Sequence, residues 1–313
     1  MRTLALAERE LRTERPAFVM GIVNATPDSF WEHSRGGLDR ALRLVDEGAD
    51  MLDIGGESTR PGSRCVDETE ELRRVVPLIA EIRRHSAIPI SVDTRKATVL
   101  RAALDEGADI LNDVSALADD DALAPLCAKR GIPVILMHGY GSHATMPTNG
   151  RSAFAAVDAY LRRRVAFAEN AGIARKKIIL DPGIGFGKND AANCTLIRRC
   201  GELCNGRYPV LMALSRKRVI GGLTGAAIEE RLYGTLAADL LSVIAGASII
   251  RVHDVKPAVD TLSVLAGIGI PRNPRRNGNK SVPETVTAPA KTAIMDAPAH
   301  FDAGGLEQNG ECI

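Results

Sequence analysis

The chain has 313 residues, 45% of them hydrophobic, with 40 basic against 39 acidic side chains and a formal net charge of +1. That length buries a full core in one large domain with a tail, and the charge balance leaves no global field to draw the chain to nucleic acid or anionic lipid, so any anion must be held locally. No run of about 18 apolar residues occurs, and Glu8, Arg9 and Glu10 stand where a secretory signal would need its apolar centre; the expectation is a soluble cytoplasmic protein with no membrane or nucleic-acid partner.

Residues 1–15 read as an N-terminal extension. From Ala17 a single pattern repeats: a short apolar run, a polar loop, then a longer stretch with helical periodicity that ends near glycine. The runs are AFVMGIV (17–23), DMLDIG (50–55), PISVDT (89–94), DILNDVS (109–115), PVILMH (133–138), KIILDPG (177–183), YPVLMALS (208–215) and SIIRVHDV (248–255), eight in all. Helices are expected over 67–84, 97–109 and 155–172, among others, with Gly48, Gly107, Gly131, Gly172 and Gly246 as C-terminal caps. Strands apolar on both faces, each followed by a helix, describe a parallel sheet covered by helices. Even spacing with no break in composition favours a closed (β/α)8 TIM barrel over residues 16–270, rather than an open doubly wound sheet. Beyond it, prolines at 271, 274, 283, 289 and 298 and little to bury predict a disordered tail over 271–313. Six cysteines form no C-x-x-C pair; Cys200 and Cys204 share a helix face at i, i+4, which without a nearby His reads as packing rather than a metal pair.

In such a barrel the chemistry sits at the carboxyl ends of the strands. Here those ends carry Asn24, Asp53, Asp93, Asn112 with Asp113, His138, Asp181, Lys217, and Arg251 with His253. A single buried Asp is more often a satisfied structural group. Asp93, Asn112 and Asp181 on one rim, however, suit a flat, donor-rich heterocycle, because Asp accepts from paired N–H groups and Asn both donates and accepts. The stretches LMALSRKRVIGG (211–222) and RVHD (251–254) are apolar runs ending in cations, which points to an anion, best read as a pyrophosphate. Arg251 and His253 lie two apart on one strand and share a face; they hold a phosphate there, or Arg251 bridges to a loop carboxylate. Asn24 offers an amide oxygen to a hard cation such as Mg2+. Loops after the first two strands, NATPDSFWEHSRGG and GGESTRPGS, have the length and composition of lids.

Seven strings in order, NATPDSF (24–30), DIGGESTRPG (53–62), SVDT (91–94), NDVS (112–115), DPGIGFGK (181–188), SRK (215–217) and RVHD (251–254), make the chain resemble the dihydropteroate synthases over residues 16–268. The resemblance implies a transferase of folate biosynthesis that joins a pterin diphosphate to p-aminobenzoate with Mg2+, through electrostatics and positioning and without a covalent nucleophile. It implies Asp93, Asn112, Met137, Asp181 and Lys217 around the pterin, with Asn24, Arg251 and His253 serving the diphosphate and its metal. Phe30, Thr59, Arg60, Pro61, Phe186 and Lys217 would wall the p-aminobenzoate site, Thr59 also reaching the pterin diphosphate. It implies a homodimer as well. The chain departs from the pattern in its first loop, which is shorter and reads WEHSRGG with Trp31 beside Phe30, and at Arg218, where many members have Ser. The altered loop raises the expectation of a variant insensitive to sulfonamides. Rival readings are a methyltetrahydrofolate-dependent methyltransferase, which has no use for STRPG or SRK, and a pterin-binding paralogue without turnover.

Overall fold

Runs that are apolar on both faces form strands held between two layers, since neither face tolerates water. In the computed structural model, which describes residues 1–25, 37–57, 66–139 and 150–269, a short pair β1 (Arg2–Ala5) and β2 (Glu10–Thr13) precedes eight parallel strands. These are β3 (Phe18–Asn24), β4 (Met51–Gly55), β5 (Ile90–Asp93), β6 (Ile110–Asp113), β7 (Val134–Met137), β8 (Ile178–Asp181), β9 (Leu211–Met212) and β10 (Ile249–Val252). Their order is β8-β7-β6-β5-β4-β3-β10-β9. A parallel bridge from Leu180 to Val210, with the Leu180 N–H donating to the Pro209 carbonyl at 2.9 Å, joins the two outer strands into a barrel. All eight expected strands are present, and the sheet is closed rather than doubly wound.

Helices α1 (Gly37–Asp46), α2 (Glu68–His85), α3 (Ala97–Asp105), α4 (Leu123–Arg130), α5 (Gly150–Asn170) and α6 (Asp190–Arg199) each follow one strand from β3 to β8. Two more, α7 (Arg218–Thr224) and α8 (Leu232–Ile244), link β9 to β10, and α9 (Val255–Ile268) follows β10. Asp67 starts α2 by accepting the Glu70 N–H at 2.9 Å, and all five glycines expected as caps have left-handed φ. None of the described helices is long and apolar enough to cross a membrane.

The period of two along each strand separates two cores. Val19, Leu52, Val92, Leu111, Leu136, Leu180 and Val252 pack outward with the helices. Phe18, Met20, Met51, Ile110, Ile135, Ile179, Leu211 and Ile249 fill the lumen together with Leu4 of β1 and Leu6 just after it. Residues 1–15 therefore contribute a plug. Lys177, just before β8, donates to the carbonyls of Leu6 and Ala7; Arg2 reaches Ser248 Oγ at 3.2 Å before β10, and Arg9 reaches Asp109 at 3.4 Å before β6. All three anchors lie at the amino-terminal ends of strands, opposite the candidate site.

One expectation fails locally. Cys200 and Cys204 do not share a helix face: α6 ends at Arg199, and the backbone turns left-handed at Cys204 and Asn205, φ +49° and +62°. Asp158 and Arg162 fix that turn, Asp158 accepting the Cys204 N–H at 2.6 Å and Arg162 donating to Asn205 Oδ1 at 2.8 Å.

Helix α8 buries a carboxylate. Asp239 is 1% exposed, and neither of its oxygens has a hydrogen-bond partner among the described residues. Burial pushes its pKa well above the usual carboxylate range. A raised folded pKa means stability is lost as pH rises from the unfolded value of about 4 toward the folded one. Asp239→Asn is therefore expected to stabilise the protein by about 1–3 kcal/mol near pH 8 and to change little near pH 4. Denaturant melts at the two pH values check this; an Asn variant less stable at the higher pH would contradict it.

Candidate active site

The strand period that fills the lumen also builds the site above it. On β4 the inward positions run from Met51 to Asp53, on β6 from Ile110 to Asn112, on β8 from Ile179 to Asp181, and on β10 from Ile249 to Arg251. Residue pairs Gly55 with Asp93, Asp93 with Asn112, and Met137 with Asp181 keep these ends in register. An apolar floor thus carries a polar layer one step closer to the mouth.

Asp53 is the hub of that layer. Fully buried, its Oδ2 accepts from Arg251 Nε at 2.6 Å and from Asn112 Nδ2 at 3.1 Å. A second guanidinium nitrogen of Arg251 reaches Asp93 Oδ2 at 3.4 Å. Arg251 therefore bridges two strand-end carboxylates inside the barrel, not a loop carboxylate. One guanidinium does not fully balance two acids. Burial, and then the neighbouring Asp53, push Asp93 well above the usual carboxylate range against the pull of Arg251. Asp113, the next residue after Asn112, faces the opposite way and caps the N–H groups of Ser115 and Leu117 at 2.8 and 2.6 Å. That pair separates cleanly into a residue of the polar rim and one that holds the following turn. His138 likewise packs its ring edge-on against Tyr160 of α5, with centroids 4.8 Å apart.

Across the mouth, Lys217 donates to the Ile184 carbonyl at 2.6 Å and lies 5.0 Å from the centre of the Phe186 ring. Burial lowers its pKa to about 8, although Asp181 pulls it up. Asp181, raised by burial, accepts the Gly183 N–H at 2.7 Å. The turn between them has little latitude. Gly183 has φ +65°, and a Cβ there would lie 1.9 Å from the His138 carbonyl oxygen, so only glycine fits. Lys188 then ties the turn down, its ammonium donating to the carbonyls of His138, Gly183 and Phe186 at 3.1, 2.8 and 2.9 Å. Asn193 adds a hydrogen bond from the Gly185 N–H at 3.0 Å.

The SRK and RVHD strings are cross-braced. Ser215 Oγ accepts the His253 N–H at 3.1 Å and lies 2.9 Å from His253 Nδ1. Arg216, with φ +55°, holds Asp254 in a two-pronged ion pair at 2.9 and 3.1 Å and donates to the carbonyls of Ile228 and Glu229. A non-glycine residue in that conformation stores strain that the surrounding bonds must hold. Burial, and the cations Arg251, Arg40, Arg216 and Lys217, hold the His253 imidazole well below its usual pKa.

Among the expected site residues, Asp93, Asn112, Met137, Asp181, Phe186, Lys217, Arg251 and His253 all stand at the carboxyl end of the barrel. Asn24 ends β3, between β4 and β10. Phe30, Trp31, Thr59, Arg60 and Pro61 lie outside the described residues, as does the segment 271–313. Both flanks of 58–65 are nonetheless held, since Lys96 donates to Glu57 at 2.8 Å and to the Val66 carbonyl at 3.0 Å. Arg218 is the exposed first residue of α7. Asp53 is among the polar strand ends read from the sequence but carries no assigned role there, and Lys188, Ser215 and Arg216 carry none either. Each stands inside a recognised string but acts on its neighbours, and only the strand period, for Asp53, signalled it in advance. Among the described residues no group of three or more His, Cys, Asp or Glu is arranged to hold a metal ion.

A closed barrel that sets carboxylates and an amide against two cations over an apolar floor defines an enzyme for a flat ring bearing an anion. The family described as pterin binding enzyme matches residues 20–253. Dihydropteroate synthase of Escherichia coli K12 is 42% identical over 257 residues, covering 79% of this chain and 90% of that protein. Among solved structures, Xanthomonas albilineans dihydropteroate synthase with 4-aminobenzoic acid superposes with a TM-score of 0.78 at 44% identity, covering 85% of this chain and 97% of the other. The Coxiella burnetii enzyme in complex with pteroic acid gives 0.78 at 37% identity, covering 85% and 98%. The chain belongs to the dihydropteroate synthases.

Proposed function

We propose that the chain joins 6-hydroxymethyl-7,8-dihydropterin diphosphate to p-aminobenzoate, releasing pyrophosphate and forming 7,8-dihydropteroate. The observation that carries this reading is the layer of Asp53, Asp93, Asn112 and Asp181 facing Arg251 and Lys217 above an apolar floor. Asp93, Asn112 and Asp181 accept from and donate to the pterin edge, Met137 lines its face, and Lys217 bridges the pterin pocket to the ring of Phe186. The C–O bond to diphosphate breaks with its electron pair leaving on the phosphate oxygen. Positive charge then develops on the pterin methylene, where the carboxylates stabilise it. The arylamine attacks that carbon and loses its proton. Arg251 and His253 receive the departing anion. Thr59, Arg60, Pro61 and Phe30, from the two mouth loops, complete the arylamine site.

The donor set fits Mg2+ held mainly by substrate oxygens. Asn24 provides one hard amide oxygen, on the strand beside the one that carries Arg251, and Mg2+ commonly joins one or two protein oxygens to phosphates. When bound, the ion neutralises charge on the leaving diphosphate. The protein works as a cytoplasmic homodimer in this reading, and the exposed Tyr233 and Leu241 of α8 and Val264 and Ile268 of α9 supply apolar surface for a second copy.

Incubating the protein with both substrates and Mg2+ and looking for the mass of dihydropteroate tests the proposal; its absence, with the pterin diphosphate bound, would leave a pterin-binding relative without turnover. Because Lys217 is pulled down to about 8, its ammonium is lost as pH rises through that value. The activity profile is therefore expected to fall with an alkaline midpoint near pH 8, and a flat profile from pH 7 to about pH 10 would contradict the role of Lys217. Sulfonamide insensitivity follows if the WEHSRGG loop separates p-aminobenzoate from its drug analogues, and strong inhibition by a sulfonamide excludes it.

A further inference from the structure

We propose that Ser215 is a positioning residue that locks His253 in the neutral tautomer with its proton on Nε2. The inference deepens the proposed reaction and rests on it for the anion that His253 serves. Ser215 is 4% exposed and His253 is also 4% exposed, so their polar atoms must find partners in the protein. The backbone N–H of His253 donates to Ser215 Oγ at 3.1 Å, which occupies an acceptor position on the hydroxyl. The hydroxyl proton then needs an acceptor, and the one described atom within reach is His253 Nδ1, at 2.9 Å. If Nδ1 carried the proton instead, Ser215 would accept twice and its own buried O–H would have no acceptor, at the cost of an unmade buried hydrogen bond. Ser215 therefore donates to Nδ1, and Nε2 bears the N–H.

The charge of the surroundings supports a neutral ring. Arg251 lies two residues away, Arg40 donates to the His253 carbonyl, and Arg216 is bound to the adjacent Asp254 at 2.9 Å. Burial and these cations together disfavour an imidazolium. His253 thus serves the leaving diphosphate as an oriented neutral donor rather than as a cation. The positive charge is left to Arg251 and Lys217.

The test reads the ring directly. A long-range proton–nitrogen correlation spectrum of the 15N-labelled, ligand-free full chain, with His253 assigned by comparison with His253→Gln, is expected to show a neutral ring protonated at Nε2. Ser215→Ala is expected to move population to the Nδ1–H tautomer and to lower kcat/KM for the pterin diphosphate about ten-fold, with KM for p-aminobenzoate unchanged. Ser215→Thr, which keeps the hydroxyl, restores both. An imidazolium or an Nδ1–H ring in the unmodified protein overturns the proposal, and so does a Ser215→Ala variant with unaltered tautomer or unaltered kcat/KM. The spectrum needs no substrate. An inactive but correctly protonated protein would therefore refute the reaction assigned above and leave the tautomer intact.

Discussion

Lys217→Ala is expected to reduce turnover by about a thousand-fold or more, the scale of removing an electrostatic group aimed at developing charge, while the protein stays folded. The fold has little stake in this side chain. Lys217 stands at the N-cap of α7 without making a side-chain cap, and among the described residues its ammonium has one hydrogen-bond partner, the Ile184 carbonyl. Loss of that bond to a half-buried chain costs about 1 kcal/mol. The site loses more, because Lys217 is the cation with the largest pull on Asp181 and stands over the Phe186 ring. Lys217→Met separates charge from packing, since it keeps the apolar stem; it is expected to be as inactive as the Ala variant. Single-turnover rates and circular dichroism on both variants check the prediction, and near-normal turnover in either would show that the site is centred elsewhere.

Arg251→Leu is expected to lower stability by about 3–5 kcal/mol near pH 8. The guanidinium is the shared partner of Asp53 and Asp93, and Asp53 has no exposure through which water could replace it. With the cation gone, the carboxylates of Asp53 and Asp93 face each other unpaired, and Asp93, already raised by burial and by Asp53, loses the one charge that pulls its folded pKa down. Acids with raised folded pKa values lose stability as pH climbs above the unfolded value of about 4, so the deficit shrinks as pH falls toward that value. Denaturant unfolding at pH 5 and at pH 8 measures it. A pH-independent deficit would mean that Arg251 acts through packing of its stem rather than through its charge.

The barrel was legible because its signal is redundant. Eight apolar runs, each too short for a buried helix and each followed by helical periodicity, leave few other architectures. The first strand pair was not legible: Arg2–Ala5 and Glu10–Thr13 are four residues each, with two polar positions in the first and three in the second, and the two leucines that enter the lumen, Leu4 and Leu6, carry no period that distinguishes a plug from an extension. The kink at Cys204 escaped for a related reason, since helical spacing continues through it in sequence while Asp158, 46 residues away, draws the Cys204 N–H out of the helix. At the site, the strings named residues that the structure gathers at the carboxyl end of the barrel. They did not show the residues that hold those in place, because the partners lie far apart: Asp53 and Arg251 are 198 residues apart, and Arg216 and Asp254 are 38 apart. Side-chain partnerships of that range follow from barrel closure and not from any local pattern.

The most direct test of the account is the time course of pyrophosphate release from 6-hydroxymethyl-7,8-dihydropterin diphosphate and Mg2+, recorded with and without p-aminobenzoate. Steady release that depends on the arylamine is the predicted result, with the Lys217→Ala variant silent under the same conditions. Steady release that ignores the arylamine, or none while the diphosphate is bound, would contradict the assignment of this rim as a site that joins the two substrates.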